Sequence, residues 1–281
     1  MDQREWNYRD MDWNGIWRAH HDHKNKKEWS TTNHWDKRAK EFTRAVTRGD
    51  YVEQFLELCD VRPEESVLDI GAAAGTLAVP LARRTKSVTA LEPSIMMREL
   101  LRKRCASEGI RNLRAVEGRW EDDWDALGIA PHDVAIASRS LIVEDLSLAI
   151  DKLQAYASRR AYLSTLVDDG PFDRNLITAV GREFTPGVDY IVVLNYLRQI
   201  GIYANLTFTT HREARQFASL DEAVTGLSWM VHDITDAEQN KLREYLDATL
   251  VHVDGMLRLP RPRPVRWAVM WWDKEDTCAA N

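Results

Sequence analysis

Cysteine is scarce: Cys59, Cys105 and Cys278 are the only three in 281 residues, and no two of them form a C-x-x-C pair. That usage argues against a disulfide framework and a thiolate zinc site, and it fits a reducing cytoplasm. A surplus of positive charge is missing as well. The 38 basic and 44 acidic residues are interspersed and leave a formal net charge of -6. Nothing in that balance tracks a phosphate backbone, so no nucleic-acid partner is expected. Long apolar runs are also absent. No window approaches the roughly 18 apolar residues of a membrane span, and the opening stretch MDQREWNYRDMDWNG is charged where a signal peptide is apolar. The expectation is a soluble cytoplasmic chain without a membrane partner, and no internal repeat or low-complexity tract alters it.

Tryptophan, by contrast, is plentiful. Of the eleven, Trp6, Trp13, Trp17, Trp29 and Trp35 fall in the first 35 residues, and this crowding sets residues 1–60 apart as a helical, aromatic lid. Residues 61–170 read as an α/β core. From Ser66 to about Leu166 the short apolar runs SVLDI, SVTAL, NLRAV, DVAIA and RAYLSTL alternate with helix-period stretches, the pattern of β-α-β units that build a parallel sheet. The helix DLSLAIDKLQAYA, for instance, gathers Leu146, Ala149, Ile150, Leu153 and Ala157 on one face. Pro80 is tolerated in GTLAVPLARR if it sits in the first turn, where backbone N–H groups have no intrahelical partner.

Residues 171–281 read as a helical cap insertion followed by closing strands of the same domain. PFDRNLITAVGREF, DYIVVLNYLRQIG and DAEQNKLREYLDATLVHVDGM have helical spacing, while YANLTFTT and PVRWAVMWW are strand-like and suited to an antiparallel closing pair. His211 and Arg212 are expected just after the first of these strands.

The most informative segment is ESVLDIGAAAGTLAVPLA, a buried-type strand running into a turn of small residues and then a helix. Gly71, Ala72, Ala73, Ala74 and Gly75 remove side-chain bulk where a ligand would approach the backbone. A dinucleotide fingerprint, G-x-G-x-x-G, requires small residues at 71, 73 and 76, and Thr76 is β-branched. No Lys-Ser or Lys-Thr follows, which weakens a P-loop further. Asp69 at the strand end suits a cationic ligand better than a pyrophosphate, because like charges repel. Glu92 stands twenty-one residues after Gly71 at the end of the next strand, a position from which an acid reaches ribose hydroxyls; dinucleotide enzymes use the same acid.

The order Asp69, Gly71, Gly75 resembles motif I of the class I S-adenosylmethionine-dependent methyltransferases, D/E-x-G-x-G-x-G, with Ala73 in place of the middle glycine. The likeness is to small-molecule enzymes of the type 11/12 kind. EPSIMMRELL resembles the family's acid-containing second segment, VEGRWEDDWDAL its third, and HDVAIASRSLIVED its fourth. The resemblance implies S-adenosyl-L-methionine as cofactor and a Rossmann-like parallel sheet between helices, closed by an antiparallel strand. It implies cofactor contacts from Asp69, Gly71, Ala72, Ala73, Gly75, Glu92, Pro93, Ser94, Met97, Trp120, Glu121 and Ser138. Glu121 is a partner for the exocyclic amine and Trp120 a stacking surface, although Arg119 and Trp120 depart from the family's Asp and Ala. HWDKRAKEF resembles a helix that folds over the cofactor in many small-molecule members, which makes His34, Trp35 and Arg38 acceptor candidates together with Arg139. No general base is assigned, since methyl transfer imposes no fixed nucleophile on the protein, and no metal is expected from His20, His21, His23 and His34. A nicotinamide-dependent oxidoreductase and a non-catalytic module that binds the same cofactor remain the alternatives.

Overall fold

The computed structural model describes residues 7, 10–23, 35, 36, 39, 50–213, 215–261 and 263–276. His34 and Arg38 lie outside the described residues, as do most of HWDKRAKEF and the side chains of His21 and His23.

In chain order the strands are β1 (Ser66–Ile70), β2 (Ser87–Leu91), β3 (Leu113–Val116), β4 (His132–Ser138), β5 (Ala157–Leu166), β6 (Asn205–Glu213), β7 (Gln216–Phe217), β8 (Val251–Val253), β9 (Met256–Arg258) and β10 (Arg263–Asp273). The helices used below are α1 (Trp13–His23), α2 (Tyr51–Leu58), α3 (Ala78–Ala82), α4 (Ile95–Glu108), α5 (Leu146–Tyr156), α6 (Arg174–Ala179), α7 (Tyr190–Gln199), α8 (Leu220–Leu227) and α9 (Asp236–Thr249). Seven strands form one sheet in the order β3-β2-β1-β4-β5-β10-β6. The first five pair in parallel, and β10 runs antiparallel to β5 from Trp267 opposite Leu166 to Asp273 opposite Arg160. The strand order reverses between β1 and β4, and in an open α/β sheet a crevice opens at that switch point beyond the carboxyl ends of the strands.

Local chemistry sets the elements that frame this crevice. Ser94 caps α4 by accepting the Met97 N–H, and Gly109 ends it in the left-handed conformation. Asp145 caps α5 through the Leu148 N–H, while Asn14 of α1 accepts the Leu146 and Ser147 N–H groups at the same helix start. α3 begins at Ala78, so Pro80 sits in its first turn, where the missing donor costs nothing.

The chain divides into two compact units. One comprises Met1–Leu166, Val188–Thr209 and Trp267–Asn281 and contains the first five strands with their helices. Its core holds much of the tryptophan: Trp124, Trp272 and Trp17 are buried, and each indole N–H is satisfied, by the Arg119 carbonyl at 2.8 Å, Gln154 Oε1 at 2.7 Å and the Val143 carbonyl at 2.9 Å. Trp124 also stacks edge-on against Tyr156 at 4.8 Å.

The second unit, Val167–Gly187 and Thr210–Arg266, has its own core of α6, α8 and α9 residues including Leu176, Val224, Leu242 and Leu246. Here the sequence reading is corrected. DAEQNKLREYLDATLVHVDGM is not one helix: α9 ends at Thr249 and the remainder is a β8-β9 hairpin that joins β7 in a three-stranded sheet. Asp254 and Gly255 both have positive φ, 52° and 77°, the turn that two-residue hairpins favour and that Asp-Gly adopts readily. His211 and Arg212 do not follow β6 but lie within it, because the strand runs on to Glu213 beside β10.

Trp124→Ala is expected to lower stability by about 3–5 kcal/mol in urea unfolding, through lost burial and a cavity that cannot collapse. Leu148→Ala, at a side chain on α5 that is 69% exposed, is expected to change it by less than about 0.5 kcal/mol.

Candidate functional site

The crevice at the strand ends is a cleft of about 1030 Å³ including its open mouth. Of the residues singled out from the sequence, Asp69, Gly71, Ala72, Ala73, Glu92, Pro93, Met97, Trp120, Glu121, Ser138, Trp35 and Arg139 line it. Gly75 and Ser94 do not. A Cβ on Gly75 would come within 2.3 Å of Leu101 Cδ1, and its φ is +78°, so this glycine lets the loop pack closely on α4. Ser94 is fully buried and joins its cap bond to a second one, donating to Asp36 Oδ1 at 2.5 Å.

β1 delivers the loop. Its last residues are buried, and the chain then turns through Gly71 at φ +72° and Ala73 at φ +49°. A side chain at 71 would strike Ser140 Cβ at 2.4 Å, which leaves room only for glycine where the loop meets the turn after β4. Ala73 occupies a left-handed position that costs a non-glycine residue about 1–2 kcal/mol. The loop is pinned from three sides. The Gly71 and Ala72 N–H groups donate to the Leu91 carbonyl at 2.8 and 3.1 Å, Ala73 N–H donates to Glu92 Oε2 at 2.9 Å, and Arg104 donates to the Gly75 carbonyl at 3.0 Å.

Two carboxylates dominate the electrostatics. Glu92 is buried and accepts the Ala73 and Ser94 N–H groups, the latter at 2.8 Å; desolvation raises its pKa, and these two donors oppose the rise. Asp69 is buried too. Desolvation first, and the neighbouring Glu92 charge second, push its pKa up to about 7, against the backbone N–H of Ala78. Asp69 Oδ2 has no hydrogen-bond partner among the described residues. Arg98, itself buried, holds the β2 tip without reaching either carboxylate: it donates to the Glu92 and Pro93 carbonyls at 2.8 and 2.7 Å and to Glu117.

The loop after β3 divides its two tryptophans. Trp124 turns into the core, whereas Trp120 lines the cleft and fixes its indole by donating to the Ser140 carbonyl at 2.8 Å. Glu121 beside it is exposed.

The β4 end carries a cluster that the sequence reading did not assemble. Tyr51 of α2 is buried, and its hydroxyl lies 2.6 Å from Ser138 Oγ and 2.7 Å from Ser164 Oγ. The Arg139 N–H donates to the Ser164 carbonyl and hydroxyl at 3.1 and 3.0 Å, holding Arg139 at φ +56°. Its guanidinium lies 4.0 Å from the Tyr51 ring centre and 5.4 Å from that of Trp267. Only Ser138 and Arg139 carried a signal in the sequence, from their place after the fourth strand; Tyr51, Ser164 and Trp267 come from segments far apart in the chain.

Buried, mutually repelling carboxylates beside a small-residue loop fit a ligand that brings positive charge and has a narrow, flat body. Comparison with known proteins agrees. The sequence profile of the family described as Methyltransferase domain matches residues 67–157. An uncharacterised protein of Haemophilus influenzae is 32% identical over 242 residues, 85% of this chain and 88% of its own. Among solved structures, a candidate methyltransferase from Bacillus halodurans superposes with a TM-score of 0.52 at 12% identity, covering 79% of this chain and 98% of that one. The YcgJ protein from Bacillus subtilis does so with a TM-score of 0.50 at 12% identity, covering 79% and 97%; at such identities these two likenesses speak for the fold alone. With the sheet order, the motif loop and the profile matched over residues 67–157 in agreement, this chain belongs to the class I S-adenosylmethionine-dependent methyltransferases.

Proposed function

We propose that the protein methylates a small-molecule acceptor in the cytoplasm, with Asp69 and Glu92 gripping the cofactor from two neighbouring strand tips. The observation that carries this reading is the buried Asp69–Glu92 pair, a concentration of negative charge that a cationic ligand relieves. S-adenosylmethionine supplies a methyl group on a positive sulfonium, already a strong electrophile. The protein's contribution is then alignment and exclusion of water rather than activation of a nucleophile.

In this reading Glu92 receives ribose hydroxyls with the lone pairs that Ala73 and Ser94 leave over, and Asp69 faces the methionine end. Gly71, Ala72 and Ala73 keep the loop low enough for the nucleoside, with Pro93 and Met97 beside it. Trp120 presents an aromatic face for the adenine, and Glu121 an acceptor for its amine. Ser138, Arg139 and Trp35 flank the space left for the acceptor. An overall negative charge and the absence of a basic tract support a small molecule over nucleic acid. No helix among the described residues is long and apolar enough to cross a membrane, and the sparse, unpaired cysteines support a reducing compartment.

Glu92→Ala is expected to weaken S-adenosylhomocysteine binding by about 1.5–3 kcal/mol in calorimetry, the value of charge-assisted hydrogen bonds. Unchanged affinity in a folded variant would remove Glu92 from the ribose.

Asp69→Asn tests the other carboxylate through pH. Burial pushes the Asp69 carboxyl up to about 7 in the fold, well above the usual aspartate range, so the ligand-free protein holds a proton there that the unfolded chain has released. Stability therefore falls as pH rises from about 4 to about 7, and the full penalty persists above that. The neutral variant escapes the penalty. Denaturant unfolding is expected to find ligand-free Asp69→Asn stabilised relative to the parent at pH 8, on the order of a few kcal/mol, and by less at pH 5. The same gain at both pH values would show that Asp69 does not carry the raised pKa.

A further inference from the structure

Arg139 is placed with some strain. It has the left-handed backbone conformation without being glycine, and its partly buried side chain sets the guanidinium against Tyr51 and Trp267. Among the described residues no carboxylate pairs with it, and Tyr51 is the one titratable group acting on its charge. Stacking uses the faces of a guanidinium, and its five N–H donors lie in the plane. The Tyr51 ring therefore stacks on the guanidinium and leaves its edge, whose donors have no hydrogen-bond partner among the described residues. That edge belongs to a side chain lining the cleft, next to Ser138 and Ser140 at the end of β4. Tyr51 is itself fixed by its bonds to Ser138 and Ser164, so the platform beneath the cation is rigid. Partial burial works against the charge on Arg139, and an oxyanion at its edge would favour that charge.

Resting on the methyltransferase reading above, we propose that the acceptor carries a carboxylate or phosphate group and that the in-plane N–H donors of Arg139 receive it, on a platform made by Tyr51 and Trp267. A planar fork of donors matches such an oxyanion in two parallel hydrogen bonds. During transfer the methyl carbon forms its bond to the acceptor atom as its bond to sulfur breaks and the sulfur keeps the electron pair. Any proton on that acceptor atom leaves to solvent. Arg139 takes no part in this exchange beyond holding the acceptor in line.

The test uses the full chain saturated with S-adenosylhomocysteine. The Arg139 Nε–H signal is followed by nuclear magnetic resonance, identified by its absence in Arg139→Lys, while inorganic phosphate, benzoate and the neutral isostere benzamide are titrated in turn. A saturable shift with phosphate or benzoate and none with benzamide is expected. Arg139→Lys, which keeps the charge without the fork, is expected to bind the same anion about tenfold more weakly. The absence of a saturable shift with both anions, or an equal response to benzamide, overturns the proposal.

Calorimetry separates the two sources of a carboxylate. S-adenosylhomocysteine is expected to bind Arg139→Lys and the parent within about twofold, since a tenfold change corresponds to losing a whole hydrogen bond. If the variant instead binds it tenfold or more weakly, the guanidinium serves the cofactor's own carboxylate and the proposal falls. If the parent does not bind S-adenosylhomocysteine at all, the methyltransferase reading fails first.

Discussion

Two carboxylates share one buried corner of this protein, and the rest of the site is organised around that repulsion. Asp69 is the penultimate residue of β1 and Glu92 follows β2, on strands paired through Ile70 and Leu91, so the sheet itself brings the acids together. Neither accepts a hydrogen bond from a basic side chain among the described residues: Arg98, whose charge acts on Glu92, spends its donors on carbonyls and on Glu117. The fold stabilises one acid with backbone N–H groups and leaves the other holding a proton up to neutral pH. A site of this kind is an unfinished electrostatic arrangement, complete when a cation enters.

The loop between the acids shows how backbone constraint and charge work together. Glu92 accepts the Ala73 N–H and so helps to hold Ala73 in the left-handed conformation that the family pattern usually gives to glycine. The replacement is tolerated because the surrounding bonds over-determine the turn. Gly71 and Gly75 are different: at both, a side chain would collide with a neighbouring element. Their conformational freedom and their lack of bulk are needed at once.

At the other end of the cleft the charge is reversed. Arg139 is held against aromatic rings rather than acids, just beyond the tip of the strand that adjoins β1 across the switch point. One sheet edge thus presents negative groups on one side and a positive group on the other, separated by small and apolar residues. That polarity is a property of the fold as much as of the residues, because parallel neighbouring strands deliver their carboxyl ends to a common line.

The alternation of short apolar runs with helix-period stretches was enough to make five parallel strands, their helices and the antiparallel closure legible, since the central runs of β1, β2 and β4 are buried and read as continuous apolar blocks. The spacing of Asp69, Gly71, Gly75 and Glu92 likewise made the tight turn after β1 and the acid after β2 legible, because those residues are close in sequence. The β8-β9 hairpin was legible in principle from Asp254-Gly255, but the helical period of α9 runs into it and obscures it. Tertiary structure alone decided that Trp120 lines the cleft while Trp124 fills the core, and that Tyr51, Ser164 and Trp267 meet around Arg139. Those contacts join α2, β5 and β10, more than a hundred residues apart in part, and no local pattern encodes a meeting that only the packing of the sheet brings about.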